Sequence, residues 1–198
     1  MPFPVTVAIL AGGRSRRMGR PKAWLDVQGR PLLTRVLASV RELSQDILLI
    51  ANQPELYTAF DLPCLPDLIP DSGPLGGLYT ALMAARQPWT LVVACDMPWL
   101  NPALLAALIE LALSSAEEAV VPRWDERPEP LHAVYHRRCL PALTAKIKAG
   151  DLKIAGLLNE LSVRYVEPAE IRRYDADGRS FTNLNTPDDW AASNQRPA

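Results

Sequence analysis

Along this chain, short and almost unbroken apolar runs alternate with longer stretches of helical period. Val5-Thr6-Val7-Ala8-Ile9-Leu10 is the first such run and reads as a buried first strand. Ile47–Ile50, Leu91–Ala94 and Ala119–Val121 repeat the pattern, and Leu131–Tyr135 and Val163–Val166 read as later strands. Between them the period changes. Leu32, Leu33, Val36, Leu37, Val40 and Leu43 follow Pro31 at helical spacing, with the proline where a helix can begin. Leu78, Leu82 and Met83 start a second helix, Pro102 opens a third that runs through Leu113, and Cys139 to Lys148 forms a fourth. Thr186-Pro187-Asp188-Asp189 carries the signature of a last helix: a capping threonine, a proline at the first helical position and an acid three residues after the cap. Residues 63–77, dense in proline and glycine, read as loop.

Strand and helix thus alternate about every 20–40 residues, which predicts an α/β fold with a mostly parallel sheet. The length suits a single domain over residues 1–198. Sheets of this kind bind ligands beyond the carboxyl ends of their strands. Two distinctive loops lie there, one after Leu10 and one after Ala94.

Composition narrows the choice of ligand. The net charge is −1, but eight basic residues and one acid, Asp26, fall between Arg14 and Arg41. That imbalance points to an anion site near the N-terminus. It does not extend over a face, so nucleic acid is not the expected partner. Cys64, Cys95 and Cys139 are odd in number and widely spaced, so neither a zinc site nor a disulfide framework is indicated, and a reducing, cytoplasmic setting is expected. No basic segment precedes an apolar core at the start of the chain, and no apolar stretch approaches about 18 residues, so neither a signal peptide nor a membrane span is expected.

The loop after the first strand, Leu10-Ala11-Gly12-Gly13-Arg14-Ser15-Arg16-Arg17-Met18-Gly19-Arg20-Pro21-Lys22, carries the strongest chemical signal. Adjacent glycines let the main chain approach a ligand closely, and Arg14, Arg16, Arg17, Arg20 and Lys22 supply donors suited to phosphate. The segment is neither a Walker A loop nor G-x-G-x-x-G, and a solvated basic turn would have similar composition. Asp96, at the end of a buried strand, could hold Mg²⁺ together with phosphate oxygens, or could cap the helix near Asn101-Pro102. Asp67 could serve a ligand or an Asx turn, Gly73-Pro74-Leu75-Gly76-Gly77 a backbone contact or a tight turn, and Asn183 and Asn185 a ligand or a helix cap. His132 and His136 sit in a strand-like segment, which places the two imidazoles about 13 Å apart, too far for one ion. No nucleophilic triad or thiol stands out. Positioning and charge neutralisation are the expected sources of any rate enhancement.

In order along the chain, Leu10-Ala11-Gly12-Gly13-x-Ser15-x-Arg17-Met18-Gly19, Lys22, Gly29-Arg30-Pro31-Leu32, Asp67, Gly73–Gly77, Ala94-Cys95-Asp96-Met97-Pro98, Glu129-Pro130-Leu131 to Tyr135, and Phe181-x-Asn183-x-Asn185-Thr186-Pro187-x-Asp189 form one set. With these blocks the chain resembles the molybdenum cofactor guanylyltransferases, within the nucleotidyltransferase superfamily. The resemblance implies a Rossmann-like three-layer α/β/α sandwich and transfer of GMP from GTP to molybdopterin or its molybdenum-loaded form, with Mg²⁺ as cofactor and release of pyrophosphate. It implies that Leu10, Ala11, Gly12 and Gly13 face the base, that Asn52 and Asp67 hold the nucleoside, and that Arg17 and Lys22 neutralise phosphates. It further implies that Asp96 binds the metal, that Asn183 and Asn185 lie on the pterin or metal side of the cleft, and that the product passes to molybdoenzyme maturation proteins or target enzymes. Pro21 before the lysine is shared with cytidylyltransferase relatives, so CTP is the alternative nucleotide. A sugar-phosphate nucleotidyltransferase is the further alternative.

Overall fold

The computed structural model describes residues 1–12 and 21–195. In chain order it contains β1 (Thr6–Leu10), a ribbon of β2 (Asp26–Val27) and β3 (Arg30–Pro31), α1 (Leu32–Val40), β4 (Asp46–Ile50), β5 (Cys64–Leu65) and α2 (Gly73–Ala84). There follow β6 (Trp89–Ala94), α3 (Pro102–Leu113), β7 (Ala119–Trp124), β8 (Arg127–Pro128), β9 (His132–His136), α4 (Leu140–Lys148), α5 (Ile154–Leu157), β10 (Val163–Val166), α6 (Pro168–Ile171) and α7 (Pro187–Gln195).

The central sheet runs β10-β7-β9-β6-β1-β4-β5, with β8 paired to β7. Every residue of β1 is buried, because helices cover both faces of the sheet. Val7 and Ile9 point into one core with Leu33, Val36 and Val40 of α1 and Leu104, Leu105 and Leu108 of α3. Ala8 and Leu10 point the other way, toward Leu75, Leu78 and Leu82 of α2 and Leu143 of α4. The strict two-residue alternation of strand side chains therefore feeds two separate cores, and the result is the three-layer α/β/α sandwich.

β1 pairs in parallel with β4 on one side and β6 on the other. The chain leaves β1 toward β4 and β5, then returns through α2 to β6 on the opposite flank. Strand order reverses between β1 and β6, and such switch points leave a crevice beyond the carboxyl ends. β9 runs antiparallel to both β6 and β7. The cause is connection length: β7 and β9 are joined through the short β8 hairpin, too few residues for the crossover that parallel strands need.

Two local expectations are corrected. Residues 63–77 are not all loop: they hold β5, and α2 begins at Gly73 instead of Leu78. Gly76 and Gly77 weaken the helical pattern by propensity, but tertiary packing overrides it. A Cβ on Gly76 would lie 2.7 Å from Ser72 Cβ and 3.1 Å from the Ile69 carbonyl oxygen, so close backbone approach requires glycine there. The two-residue strands of the β2–β3 ribbon carry no periodicity that sequence can show. The ribbon turns on Gln28 (φ 53°) and Gly29 (φ 78°), a pair of left-handed residues of the type I′ kind. The last helix starts as its sequence implies: the Asp189 amide donates to Thr186 Oγ1 (3.1 Å) and the Thr186 amide donates to Asp189 Oδ2 (2.8 Å).

Candidate active site

Backbone pairing continues past the formal strand ends and holds the functional loops side by side. The Cys95 amide donates to the Leu10 carbonyl, the Ala11 amide to Ile50 and the Ala94 amide to Leu131, at 2.9, 2.9 and 3.0 Å. Above them lies a cleft of about 850 Å³, at the β1/β6 switch point. Leu10, Ala11 and Gly12 line it from the first loop, Asn52 and Asp67 from the loops after β4 and β5, and Asp96 from the loop after β6. Lys22 and Asn185 complete its wall. Gly13 and Arg17, expected at the base and the phosphates, lie outside the described residues.

Lys22 sits at the first position of a 3₁₀ turn, Lys22–Trp24. Its ammonium donates to Asp96 Oδ2 at 3.1 Å and to Asn185 Oδ1 at 2.8 Å. The Lys22 and Asp96 side chains are 24% and 23% exposed, so this ion pair is wet enough to exchange partners and dry enough to be felt. Asn185 reaches the cluster because its neighbours are fixed. The Leu184 amide donates to the Asp96 carbonyl at 2.9 Å, and the Leu184 side chain packs with Val27 and Leu32. The Asn185 amide donates to Asp189 Oδ2 at 2.9 Å; this bond and that from Thr186 hold the Asp189 carboxyl below the usual carboxylate range. Asn183 is half-buried and does not line the cleft.

On the opposite wall, Asn52 and Asp67 are locked reciprocally. Asn52 Nδ2 donates to Asp67 Oδ2, and the Asp67 amide donates to Asn52 Oδ1, both at 2.9 Å. Gly73 (φ 56°) and Pro74 bring the start of α2 to the cleft, where unpaired helical amides favour negative charge. A Cβ on Gly77 would meet Leu10 Cδ1 at 3.2 Å and Asp67 Oδ1 at 3.7 Å, so this glycine sets how closely α2 packs beside the first loop.

The capping alternative for Asp96 falls to a neighbour. Asn101 caps α3, accepting from the Ala103 and Leu104 amides at 2.9 and 3.2 Å. Cys95, next to Asp96, is buried; burial, reinforced by the Asp96 charge, pushes its thiol up to about 12. It stays protonated and unreactive near neutrality. Among the described residues, no three His, Cys, Asp or Glu side chains gather as a ready-made metal cage. One carboxylate with an amide oxygen nearby fits a hard cation that takes its remaining ligands from phosphates and water. The sequence assigns Lys22 to phosphate and Asn185 to the pterin or metal side, and gives no sign that the two side chains meet. The residues are 163 positions apart, and no local pattern signals the pairing.

A switch-point cleft edged by a lysine, a strand-end aspartate and a helix start is the architecture of nucleotide-binding α/β transferases. The particular family follows from comparison. Residues 7–164 match the model for the MobA-like NTP transferase domain, and the chain belongs to that family. It is 36% identical over 184 residues to a probable molybdenum cofactor guanylyltransferase of Pelotomaculum thermopropionicum, covering 93% of this chain and 89% of the relative. It is also 36% identical to a molybdenum cofactor guanylyltransferase of Desulfosudis oleivorans, covering 93% and 92%. Among solved structures, molybdopterin-guanine dinucleotide biosynthesis protein A from Archaeoglobus fulgidus superposes with a TM-score of 0.85 at 29% identity, over 96% of this chain and 97% of that one. A 2-C-methyl-D-erythritol 4-phosphate cytidylyltransferase from Thermus thermophilus shares the fold, with a TM-score of 0.69 at 23% identity over 97% of this chain and 98% of that one. Among the described residues, no helix is long and apolar enough to cross a membrane.

Proposed function

We propose that this protein transfers GMP from GTP to molybdopterin, or to Mo-molybdopterin, forming the guanine dinucleotide and releasing pyrophosphate. A terminal phosphate oxygen of the pterin attacks the α-phosphorus of GTP. The bond from that phosphorus to the bridging oxygen of the β-phosphate breaks, and pyrophosphate carries the electron pair away. The nucleophile is already anionic, so no general base is needed. Burden falls instead on alignment and on offsetting charge.

The observation that carries the reading is the Lys22–Asp96–Asn185 cluster in the switch-point cleft. In this reading the backbone of Leu10 to Gly13 faces the guanine, and the rigid Asn52–Asp67 pair holds the nucleoside. Lys22 and Arg17 meet the phosphates, with Lys22 turning from Asp96 toward an incoming oxygen. Asp96 would hold Mg²⁺, with Asn185 beside it, and a cation held there would supply charge neutralisation at phosphate oxygens. Asn185 lies toward the acceptor, while Asn183, which does not line the cleft, is assigned no contact with it. Names borne by relatives of nearly equal length support guanine over cytosine. The product, a labile dinucleotide, passes onward to maturation or target proteins.

The test is incubation of the purified protein with molybdopterin, Mg²⁺ and either GTP or CTP, with products resolved by mass spectrometry. The guanine dinucleotide should form with stoichiometric pyrophosphate. A cytosine dinucleotide formed much faster would overturn the choice of nucleotide. Pyrophosphate released only with a sugar 1-phosphate acceptor would overturn the choice of pathway.

A further inference from the structure

A second cavity, of about 560 Å³, opens between the β7–β8 hairpin and the segment before α7. Three acids, Asp125, Glu129 and Asp177, line it together with Arg127, Trp124 and Phe181. Resting on the activity proposed above, we propose that this cavity receives the 2-amino-4-oxopyrimidine end of the acceptor pterin, and that Glu129 is the residue that reads it.

Position is the first argument. β7 is antiparallel to β9, and β9 is antiparallel to β6, so β7 ends at the same rim of the sheet as β6. Trp124 therefore stands on the nucleotide-cleft side, two strand spacings from β6, or about 10 Å. Two chain segments each contribute residues to both cavities. Glu129 faces the second and Leu131 the first; Thr182 faces the second and Asn185 the first. A fused pterin carries its phosphate on the side remote from the pyrimidine ring. Such a molecule can lie across the rim with the phosphate in the cleft and the pyrimidine in the second cavity.

Surface chemistry is the second argument. Trp124 and Phe181 stack on each other, 5.7 Å between centroids at 27°, and give the cavity an aromatic rim. Gly178 makes this possible: a Cβ there would fall 2.0 Å from the indole. The ring faces are already engaged, since the Arg172 guanidinium lies over Trp124 at 5.1 Å and His132 lies 4.9 Å from Phe181, so a flat heterocycle meets the aromatic pair at its edges.

Glu129 supplies the third. Its backbone is bolted down, the amide donating to Pro122 at 2.9 Å and the carbonyl accepting from the His132 amide at 3.1 Å. Tyr135 fixes the next residue through its hydroxyl, which donates to the Pro130 carbonyl at 2.9 Å. The half-buried carboxyl, in contrast, accepts no hydrogen bond from any described residue. Burial pushes it up to about 7; Asp125 adds to the rise and Arg127 opposes it. A partly dehydrated carboxylate without donors is unfavourable until a ligand supplies them. The pterin edge offers two coplanar donors side by side, N3–H and the 2-amino group, which match the two oxygens of one carboxylate. Guanine has the same pair of donors, so the experiment must separate the two sources.

The proposal is tested by calorimetry on the full chain and on Glu129→Gln. The probes are 6-hydroxymethylpterin, its 2-oxo counterpart 6-hydroxymethyllumazine, and GMP with Mg²⁺. Wild type should bind the pterin at least about tenfold more tightly than the lumazine, the value of a charged hydrogen bond. Glu129→Gln should lose that preference and leave GMP binding unchanged; in turnover, KM for the acceptor should rise while KM for GTP holds. Equal pterin binding in both proteins overturns the proposal. So does a loss confined to GMP, which would mean that the carboxylate reads guanine. Transfer that proceeds normally in Glu129→Gln removes the subsite and leaves the activity standing. Pterin binding through Glu129 in a wild-type protein that makes no dinucleotide removes the activity and leaves the subsite standing.

Discussion

Replacing Lys22 by methionine separates a chemical role from a structural one, because the two carry different magnitudes. The substitution keeps an unbranched stem and deletes the ammonium that reaches Asp96 Oδ2 at 3.1 Å and Asn185 Oδ1 at 2.8 Å. Both members of the ion pair are about one-quarter exposed, so its contribution to folding is small, roughly 0–1 kcal/mol after screening. Loss of the hydrogen bond to Asn185 adds about 1 kcal/mol. The sum corresponds to a fall in Tm of only about 2–8 °C in a chain of this length. The chemical role is larger. A fixed charge facing oxygens that gain negative charge in the transition state is worth about 3–4 kcal/mol, or 10²–10³ in kcat. Lys22→Met should therefore melt within a few degrees of wild type and release pyrophosphate at least a hundredfold more slowly at saturating GTP. The Mg²⁺ concentration for half-maximal rate should not rise, since Asp96 has lost a competitor. Melting far below wild type, with activity lost in step with the folded fraction, would make Lys22 a strut instead. Turnover within threefold of wild type would remove it from the mechanism.

Asp96→Asn keeps the shape of the side chain and removes its charge; turnover should fall more than about a hundredfold with little change in Tm, and Mn²⁺ titration should show weakened binding. Retention of near-normal turnover would exclude Asp96 from the chemistry. Gly76→Ala forces a Cβ to within 2.7 Å of Ser72 Cβ and 3.1 Å of the Ile69 carbonyl. It should cost about 1–3 kcal/mol in urea unfolding, and an unchanged midpoint would mean that the start of α2 yields freely. For Glu129 the folded carboxyl lies at about 7 against an ordinary 4.5, so the folded chain holds the proton more tightly than the unfolded chain. That contribution is fully present below about pH 4.5 and is lost as pH rises through 7. At full weight it would be roughly 3 kcal/mol; contact with water reduces it to about 1–2 kcal/mol. Glu129→Gln should thus gain on wild type between pH 5 and pH 8, and a gap that is the same at both would contradict the burial argument.

Fold class was readable because it depends on repeated local pattern. Val7 and Ile9 alternate with Ala8 and Leu10, and both sets are apolar, so β1 must be covered on both faces. Helices α1 and α3 announce themselves through the spacing of Leu33, Val36 and Leu37 and of Leu104, Leu105 and Leu108. What escaped was whatever gains its stability from remote contact. β5 has two residues and no period; it exists because Cys64 and Leu65 sit beside Leu49 and Ile50. The first turn of α2 has poor propensity and holds because its glycines fit where larger residues cannot.

The candidate site divides along the same line. Leu10–Gly12, Gly73–Gly77 and Asp96 stand out because each occupies a special backbone position next to a strand or helix end. Pairings among side chains do not stand out: Asn52 meets Asp67 only because β4 and β5 are neighbours, and Lys22 meets Asn185 only because Leu184 is drawn inward beside Asp96. Glu129 is the sharper case. Glu129 belongs to one of the blocks that carry the family resemblance, but by charge pattern it is one acid beside Asp125, Glu126 and Arg127, a pattern that ordinarily means solvent. Its backbone pairing to Pro122 turns it inward while Asp125 and Glu126 remain at the exposed turn. Charge pattern alone gives all three carboxylates the same weight. Burial separates them, and only the acid that the fold deprives of water gains from finding a ligand with two donors.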